Sequence, residues 1–294
     1  MLKHQHFKKV IVILGQTATG KSSLAVKIAK KINGEIISAD SRQIYKGLDI
    51  GTGKITVQEM RGIPHYLLDV VNPKVKFTVV KYKKLAEEKI KEIIKKGKTP
   101  IICGGTGFYI DAIIKGVIFP EVPPNIKLRK KLLQKDATAL FRQLQRLDPR
   151  RAKSIDSKNK IRLIRAIEIA KTLGKVPKIT EVKPMYKFIK IGLYLPPDKL
   201  KKKVEKRVQK MFNPPTGGGL LNEIKKLKKS GISDKRLREL GFEYFRPTPE
   251  KVIAQTLKYA KRQMTWFKRD KKIKWFDIYK NSTQDILTYL QKML

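Results

Sequence analysis

Residues 9–25 run KVIVILGQTATGKSSLA. Val10 to Leu14 is an unbroken apolar, largely β-branched run, which suits a strand buried on both faces of a parallel sheet. Gly15, Gly20, Lys21 and Ser22 then satisfy G-x-x-x-x-G-K-[ST], and Ser23 to Lys31 continues at helical spacing. Strand, glycine-bearing loop and helix in that order make an anion site. The glycines let the backbone curl so that several N–H groups point inward, and the helix that follows offers its positive N-terminus. Lys21 adds a positive charge, and the Ser22 hydroxyl can hold Mg²⁺ on the phosphates. The loop Gly15, Gln16, Thr17, Ala18, Thr19, Gly20, Lys21, Ser22 therefore predicts a bound diphosphate or triphosphate, without saying which.

Composition widens this reading. With 294 residues and 41% hydrophobic content the chain can bury a proper core, as one large α/β domain with a sub-domain or as two small domains. Lys+Arg of 68 against Asp+Glu of 25 gives a net charge of +43, and such a surface attracts polyanions, nucleic acid first among them. Only 15 of the basic residues are Arg against 53 Lys, so the places of the arginines are more informative than the total. Cys103 is the single cysteine, which excludes internal disulfides and a cysteine-built zinc site. The basic start MLKHQHFKK is followed by an apolar run too short for a signal peptide, and no stretch approaches the length of a membrane span. A soluble, cytoplasmic protein with no membrane partner is expected.

Along the chain, Glu35 to Ser38 reads as a second strand running into Asp40-Ser41-Arg42-Gln43 and the glycine-rich 47–54. Ligands of open α/β sheets sit outside the carboxyl ends of the strands, so Asp40 is expected beside the phosphate loop. There it could bind Mg²⁺, act as a base, or cap the next helix. Tyr66 to Val70 reads as a strand, with Asp69 resembling the carboxylate a kinase would place beside its loop, and His65 reads as a packed or surface histidine. Thr78 to Lys96 is an amphipathic helix feeding the strand Pro100 to Cys103, whose glycine pair Gly104-Gly105 implies close approach to a ligand or a neighbouring loop.

From Val117 the βα alternation stops. Asn125 to Gln134, Thr138 to Asp148 and Asn159 to Leu173 read as helices of an insertion spanning 117–187, and the α/β core resumes over 188–294. Seven of the fifteen arginines, among them Arg129, Arg162 and Arg165, fall in that insertion. Clustered arginine of this kind suits phosphate-backbone gripping, with a solvated helix face as the plain alternative. Beyond the strand Ile189 to Leu195 come basic helices over 198–211, 220–229 and 250–267, the first bearing Arg207 and the last ending in Gln263-Met264-Thr265-Trp266-Phe267.

Six motifs together resemble the tRNA dimethylallyltransferases, also called tRNA isopentenyltransferases: GQTATGKS (15–22), ISADSRQIYKGLDIGTGK (37–54), GIPHYLLDV (62–70), GGTGFY (104–109), IRLIRAIEI (161–169) and AKRQMTWFK (260–268). They occur in that family's order and cover most of the chain. Gln16 stands where the family usually has Pro, Thr19 where Ser is usual, and Ile55 where Pro is common. The resemblance implies a P-loop NTPase-like α/β core, its parallel sheet flanked by helices, with a helical insertion that clasps the anticodon stem-loop. It implies transfer of a dimethylallyl group from its diphosphate to the exocyclic amine of the adenosine 3′ of the anticodon in tRNA. Asp40 would be the general base with Lys21 as the second catalytic residue, and Mg²⁺ would be bound through Ser22. The loop 15–22 with Arg207 would hold the diphosphate. Asp40, Ser41, Arg42, Gln43, Thr106, Arg129, Ile161, Arg162, Leu163, Ile164, Arg165 and Gln263 would contact the tRNA. A monomer is expected. The rival reading of the loop is a small-molecule or nucleotide kinase that binds ATP, with Asp69 as its carboxylate.

Overall fold

The computed structural model describes residues 8–178, 180–182, 184–214 and 217–294. Pro215 and Thr216, in the proline- and glycine-rich 213–219, and the first seven residues lie outside that set. The chain divides into two compact units, Met1–Gly116 with Lys183–Leu294, and Val117–Val182. The second unit closes before the 187 read from the sequence.

The first unit contains β1 (Lys9–Gly15), α1 (Lys21–Lys31), β2 (Gly34–Ser38), α2 (Val57–Met60), β3 (His65–Tyr66), α3 (Val79–Lys95), β4 (Thr99–Cys103) and α4 (Gly107–Ile114). The second unit supplies β5 (Val117–Ile118), α5 (Ile126–Leu133), α6 (Ala137–Leu147), α7 (Pro149–Ser154), α8 (Lys160–Leu173) and β6 (Thr180–Glu181). The chain then returns to the first unit with β7 (Lys187–Tyr194), α9 (Pro197–Phe212), α10 (Gly219–Lys229), α11 (Asp234–Leu240), α12 (Pro249–Phe267), β8 (Lys274–Asp277) and α13 (Thr283–Met293).

The strands of the first unit form one sheet in the order β3-β2-β4-β1-β7-β8, every neighbouring pair parallel. β1 lies inside it, Ile11 to Ile13 opposite Ile101 to Cys103 on β4 and Lys9 to Gly15 opposite Lys187 to Leu193 on β7. Successive strand side chains point to opposite faces, and each face is roofed. Val10, Val12 and Leu14 join a core with Ile37, Ile102 and the apolar stripes of α3, α4, α9 and α12, while Ile11 and Ile13 pack with Ile36, Ile101 and the inner faces of α1 and α13. All five residues Val10 to Leu14 are fully buried, worth about 1.5–3 kcal/mol each. This double burial is why β1 reads as a continuous apolar run.

The strand expected over Tyr66 to Val70 is corrected. Only His65 and Tyr66 pair with β2, because Leu67 and Asp69 adopt positive φ values of 63° and 54°, which end an extended conformation. The unpredicted elements include α4, whose GFYIDAII is too uniformly apolar to show a period, and the closing pair β8 and α13. The second unit has its own core, in which Leu140 and Leu144 of α6 pack with Leu163, Ile164 and Ile167 of α8. Among the described residues no helix is long and apolar enough to cross a membrane.

Candidate active site

Four strand ends of the first unit converge at the carboxyl edge of the sheet, where ligands of open α/β sheets lie. The loop after β1 is held from within. Gly15 has φ 132°, and a Cβ there would stand 2.1 Å from the Leu193 carbonyl oxygen, so β7 admits only glycine at that point. Ala18 and Gly20 also take positive φ, 62° and 79°. The Gln16 side chain does not face the ligand side: its Oε1 accepts from the Leu195 N–H at 3.1 Å. Its carbonyl accepts from Thr19 Oγ1 at 2.7 Å and from Lys21 Nζ at 2.5 Å. Gln16 and Thr19, read from the sequence as diphosphate ligands, therefore shape the loop with their buried side chains. What the loop has left to offer an anion is its backbone and Lys21. α1 begins at Lys21 with no side-chain cap and no acidic residue in its first turn, leaving its N-terminal donors uncompensated.

Two cations meet there. Burial pulls Lys21 down to about 8, Arg207 nearby adds to this, and the charge of Asp40 acts the other way. Arg207 reaches in from α9, its Nη2 donating to the Thr52 carbonyl at 2.8 Å and its Nη1 to Thr17 Oγ1 at 3.4 Å. Burial lowers the Arg207 pKa as well, against the favourable charges of Asp40 and Glu243. Among the described residues neither cation forms an ion pair with a carboxylate. Two half-buried cations lacking such a partner make a site suited to an anion.

Asp40 follows β2. Its Oδ1 accepts the backbone N–H groups of Arg42 at 2.9 Å and Gln43 at 3.3 Å, so it closes a turn where the sequence suggested a helix cap. Oδ2 has no hydrogen bond among the described residues and remains available to a ligand. The carboxylate lines a cavity of about 410 Å³ together with Thr17, Lys21, Ser22, Arg207, Tyr259 and Gln263. That volume lies within the range of small-ligand sites. Cys103 opens onto it too, but burial pushes its thiol up to about 12, so it stays protonated and inert.

The glycines after β4 serve neighbouring loops. A Cβ on Gly104 would lie 2.2 Å from the Ala39 oxygen, and one on Gly105 2.2 Å from Gln263 Nε2. Thr106 Oγ1 accepts from the Ser41 N–H at 3.0 Å and tethers the β2 and β4 ends to each other. Gln263, 5% exposed, accepts from the Thr17 N–H at 2.8 Å and donates to the Gly105 carbonyl at 2.9 Å. Each end of its amide thus makes one bond that holds the loop, while the residue also lines the cavity.

Other expected RNA contacts are committed likewise. Arg42 Nη1 lies 2.5 Å from Glu243 Oε1, and its guanidinium stacks 4.7 Å from the Phe242 ring centroid. Gln43 Nε2 donates to the carbonyls of Thr52 and Gly53, both at 3.4 Å. Trp266 is packed against the core and fills the space in front of Gly107.

In the second unit, Leu163 and Ile164 are buried in its core, so neither side chain can meet RNA. Arg129 grips the buried Glu168 with Nε at 2.8 Å and Nη2 at 2.6 Å, and Arg165 Nη1 joins at 2.5 Å. Ile161 and Arg162 are exposed. Asp69, the kinase-like candidate, is half-exposed, paired with Lys54 at 2.6 Å, and does not line the cavity. Tyr259 and Glu243 were missed: Tyr259 sits in a helix that was read from the sequence, but nothing local marks that it lines the cavity, and Glu243 stands in a short loop with no period. Among the described residues no three His, Cys, Asp or Glu side chains gather as metal ligands.

Comparison with known proteins agrees along almost the whole chain. A family model described as IPP transferase matches residues 43–270. The tRNA dimethylallyltransferase of Anoxybacillus flavithermus is 38% identical, covering 97% of this chain and 96% of that one. That of Halothermothrix orenii is 39% identical over 97% and 92%. The crystal structure of a tRNA isopentenylpyrophosphate transferase from Staphylococcus epidermidis superposes with a TM-score of 0.69 at 36% identity, covering 97% of this chain and 98% of that one. A eukaryotic dimethylallyltransferase acting on tRNA superposes with a TM-score of 0.80 at 26% identity, over 97% of this chain and 79% of that one. A phosphate loop with two carboxylate-free cations, an aspartate just beyond β2, and kinship over nearly full length lead to one assignment: this chain belongs to the IPP transferase family.

Proposed function

We propose that this chain transfers the dimethylallyl group of dimethylallyl diphosphate to the exocyclic amine of the adenosine 3′-adjacent to the anticodon in tRNA, forming N6-dimethylallyladenosine. The observation that carries the chemistry is the convergence of Asp40 with Lys21 and Arg207 on one cavity. The adenine amine is a poor nucleophile because its lone pair is delocalised into the ring, and it must lose a proton as it attacks. Asp40 Oδ2 accepts that proton as the N6–C1 bond forms, while Oδ1 keeps the carboxylate oriented through the Arg42 and Gln43 N–H groups. The C1–O bond of the donor breaks, and negative charge builds on the departing diphosphate. Lys21, Arg207 and the loop N–H groups are aimed at that charge.

Mg²⁺ fits this site as a companion of the diphosphate. Ser22 and Asp40 both line the cavity and are oxygen donors of the kind Mg²⁺ takes, the rest of its shell coming from substrate phosphates and water. When bound, it would neutralise part of the leaving group's charge. The target base must leave its stack, at a cost of a few kcal/mol. The basic surface, with the exposed Arg162 and the half-exposed Arg129 and Arg165 of the second unit, is suited to offset that cost through phosphate contacts, and the exposed Ile161 offers an apolar contact beside them.

Incubation with unmodified tRNA, Mg²⁺ and either dimethylallyl diphosphate or ATP tests the reading. Mass spectrometry of the digested RNA should show an adenosine heavier by a five-carbon unit with the first donor. ATP turnover without such a nucleoside would establish the kinase reading instead.

A further inference from the structure

A buried carboxylate remote from the phosphate loop holds one of that loop's partners in place. Glu223, on α10, is 8% exposed and forms no ion pair among the described residues. Its Oε2 accepts the N–H groups of Asp49 at 2.9 Å and Ile50 at 2.7 Å, and its Oε1 accepts the Gly51 N–H at 3.1 Å and the Tyr244 hydroxyl at 2.9 Å. Four donors thus converge on two oxygens. Three consecutive backbone N–H groups pointing at one acceptor form an anion nest, which here is filled by the protein's own carboxylate. The turn packs directly on Tyr244, since a Cβ on Gly51 would meet its ring at 2.6 Å.

The next residues of that turn reach the cavity. The Thr52 carbonyl accepts from Arg207 Nη2 at 2.8 Å and from Gln43 Nε2 at 3.4 Å, and a Cβ on Gly53 would stand 2.2 Å from Arg207 Nη2. Arg207 in turn reaches Thr17 of the phosphate loop. A continuous relay therefore runs from Glu223 through the 49–53 backbone to the guanidinium.

We infer that Glu223 is a positioning residue of the leaving-group site: by fixing residues 49–52 it aims the Thr52 carbonyl that orients Arg207 at the donor diphosphate. This rests on the prenyl-transfer reading above. Glu223→Gln is the sharp perturbation: an NH₂ in place of Oε2 confronts the Asp49 and Ile50 N–H groups, and one in place of Oε1 confronts the Gly51 N–H while the Tyr244 hydroxyl turns to accept. Tyr244→Phe is the mild one, removing a single donor and leaving the nest and the charge.

The experiment measures steady-state prenyl transfer with the two substrates varied separately, on the wild type, Glu223→Gln, Tyr244→Phe, Arg207→Lys and the double variant Glu223→Gln/Arg207→Lys, with thermal midpoints recorded for each. Wild-type transfer is the control for the underlying reaction, so its absence indicts that reading and not this one. Glu223→Gln is expected to lower kcat/KM for the diphosphate donor by about tenfold or more while the tRNA KM stays within about twofold, with a smaller loss for Tyr244→Phe. Because both residues act through one contact, the double variant should be no worse than Arg207→Lys by more than about twofold. Multiplying losses in the double variant would overturn the inference. So would equal damage to the donor and tRNA parameters, or donor kinetics unchanged in Glu223→Gln. If Glu223→Gln does not fold, Tyr244→Phe alone decides: donor-selective loss supports the relay, and wild-type donor kinetics refute it.

Discussion

Glu168→Gln separates two roles for the arginines of the second unit. Glu168 is 1% exposed and takes four hydrogen bonds, from the Asn125 N–H, Arg129 Nε, Arg129 Nη2 and Arg165 Nη1. Gln is nearly isosteric, but it is neutral and puts an NH₂ among those donors. Removing one partner of a buried ion pair costs about 3–5 kcal/mol. The side chains of Arg129 and Arg165 are 36% and 35% exposed, so the arginines recover part of their hydration, and the low end, about 3 kcal/mol, applies. In a unit as small as Val117–Val182, stability at roughly 0.05–0.15 kcal/mol per residue leaves little to spare. Hydrogen exchange followed by mass spectrometry should show lost protection in peptides 125–135 and 160–173, with the strands β1 and β7 unchanged. Binding of tRNA should weaken with it, because the helices that carry the arginines loosen. Unchanged protection together with tighter tRNA binding would mean instead that Glu168 merely withholds phosphate-gripping arginines and does not hold the unit together. Acid should act as the substitution does. Burial pushes the Glu168 carboxyl up, but the bonds from Arg129, Arg165 and the Asn125 N–H outweigh it and hold the carboxyl below the usual glutamate range. Its stabilisation is therefore present above that range and lost as pH falls through the lowered value.

Asp40→Asn should leave tRNA affinity within about twofold and reduce single-turnover prenyl transfer by about 10²–10⁴, the usual worth of a general base; a loss confined to binding would remove the base role. Gln263→Leu keeps the volume and deletes both loop bonds, which at about 1 kcal/mol each should lower stability by about 2 kcal/mol in urea unfolding. The same variant should raise the donor KM and spare the tRNA KM. For Lys21, burial depresses the folded-state value to about 8. The free protein thus loses the Lys21 charge as pH rises through about 8, and kcat/KM for the donor should fall across that point. In the ligand-free protein the sign reverses for stability: from about 8 up to the ordinary lysine range the unfolded chain binds the extra proton, so stability contributed by this group rises with pH. A Lys21→Met variant should lose both trends.

Residues 9–25 determined by themselves that a buried parallel strand delivers a phosphate loop to a helix, because each of those features is local. Strand burial shows as a continuous apolar run, the turn needs glycine where φ is positive, and the helix follows at its own period. The break at Val117 was legible for the same reason, as a change of period. What the side chains do once assembled was decided only in three dimensions. Leu163 and Ile164 lie in a motif with Arg162 and Arg165, yet two of the four point into the core, because a helix turns its successive residues to different neighbours. Gln16, Thr19 and Gln263 carry the right chemistry for a ligand and spend it on the loop. Arg207 and Glu223 stand far along the chain from Thr17 and Asp49, and no local pattern announces either partnership. Hydrogen bonds between distant segments depend on where the sheet places their ends, and that placement follows from the packing of both sheet faces, not from any stretch read alone.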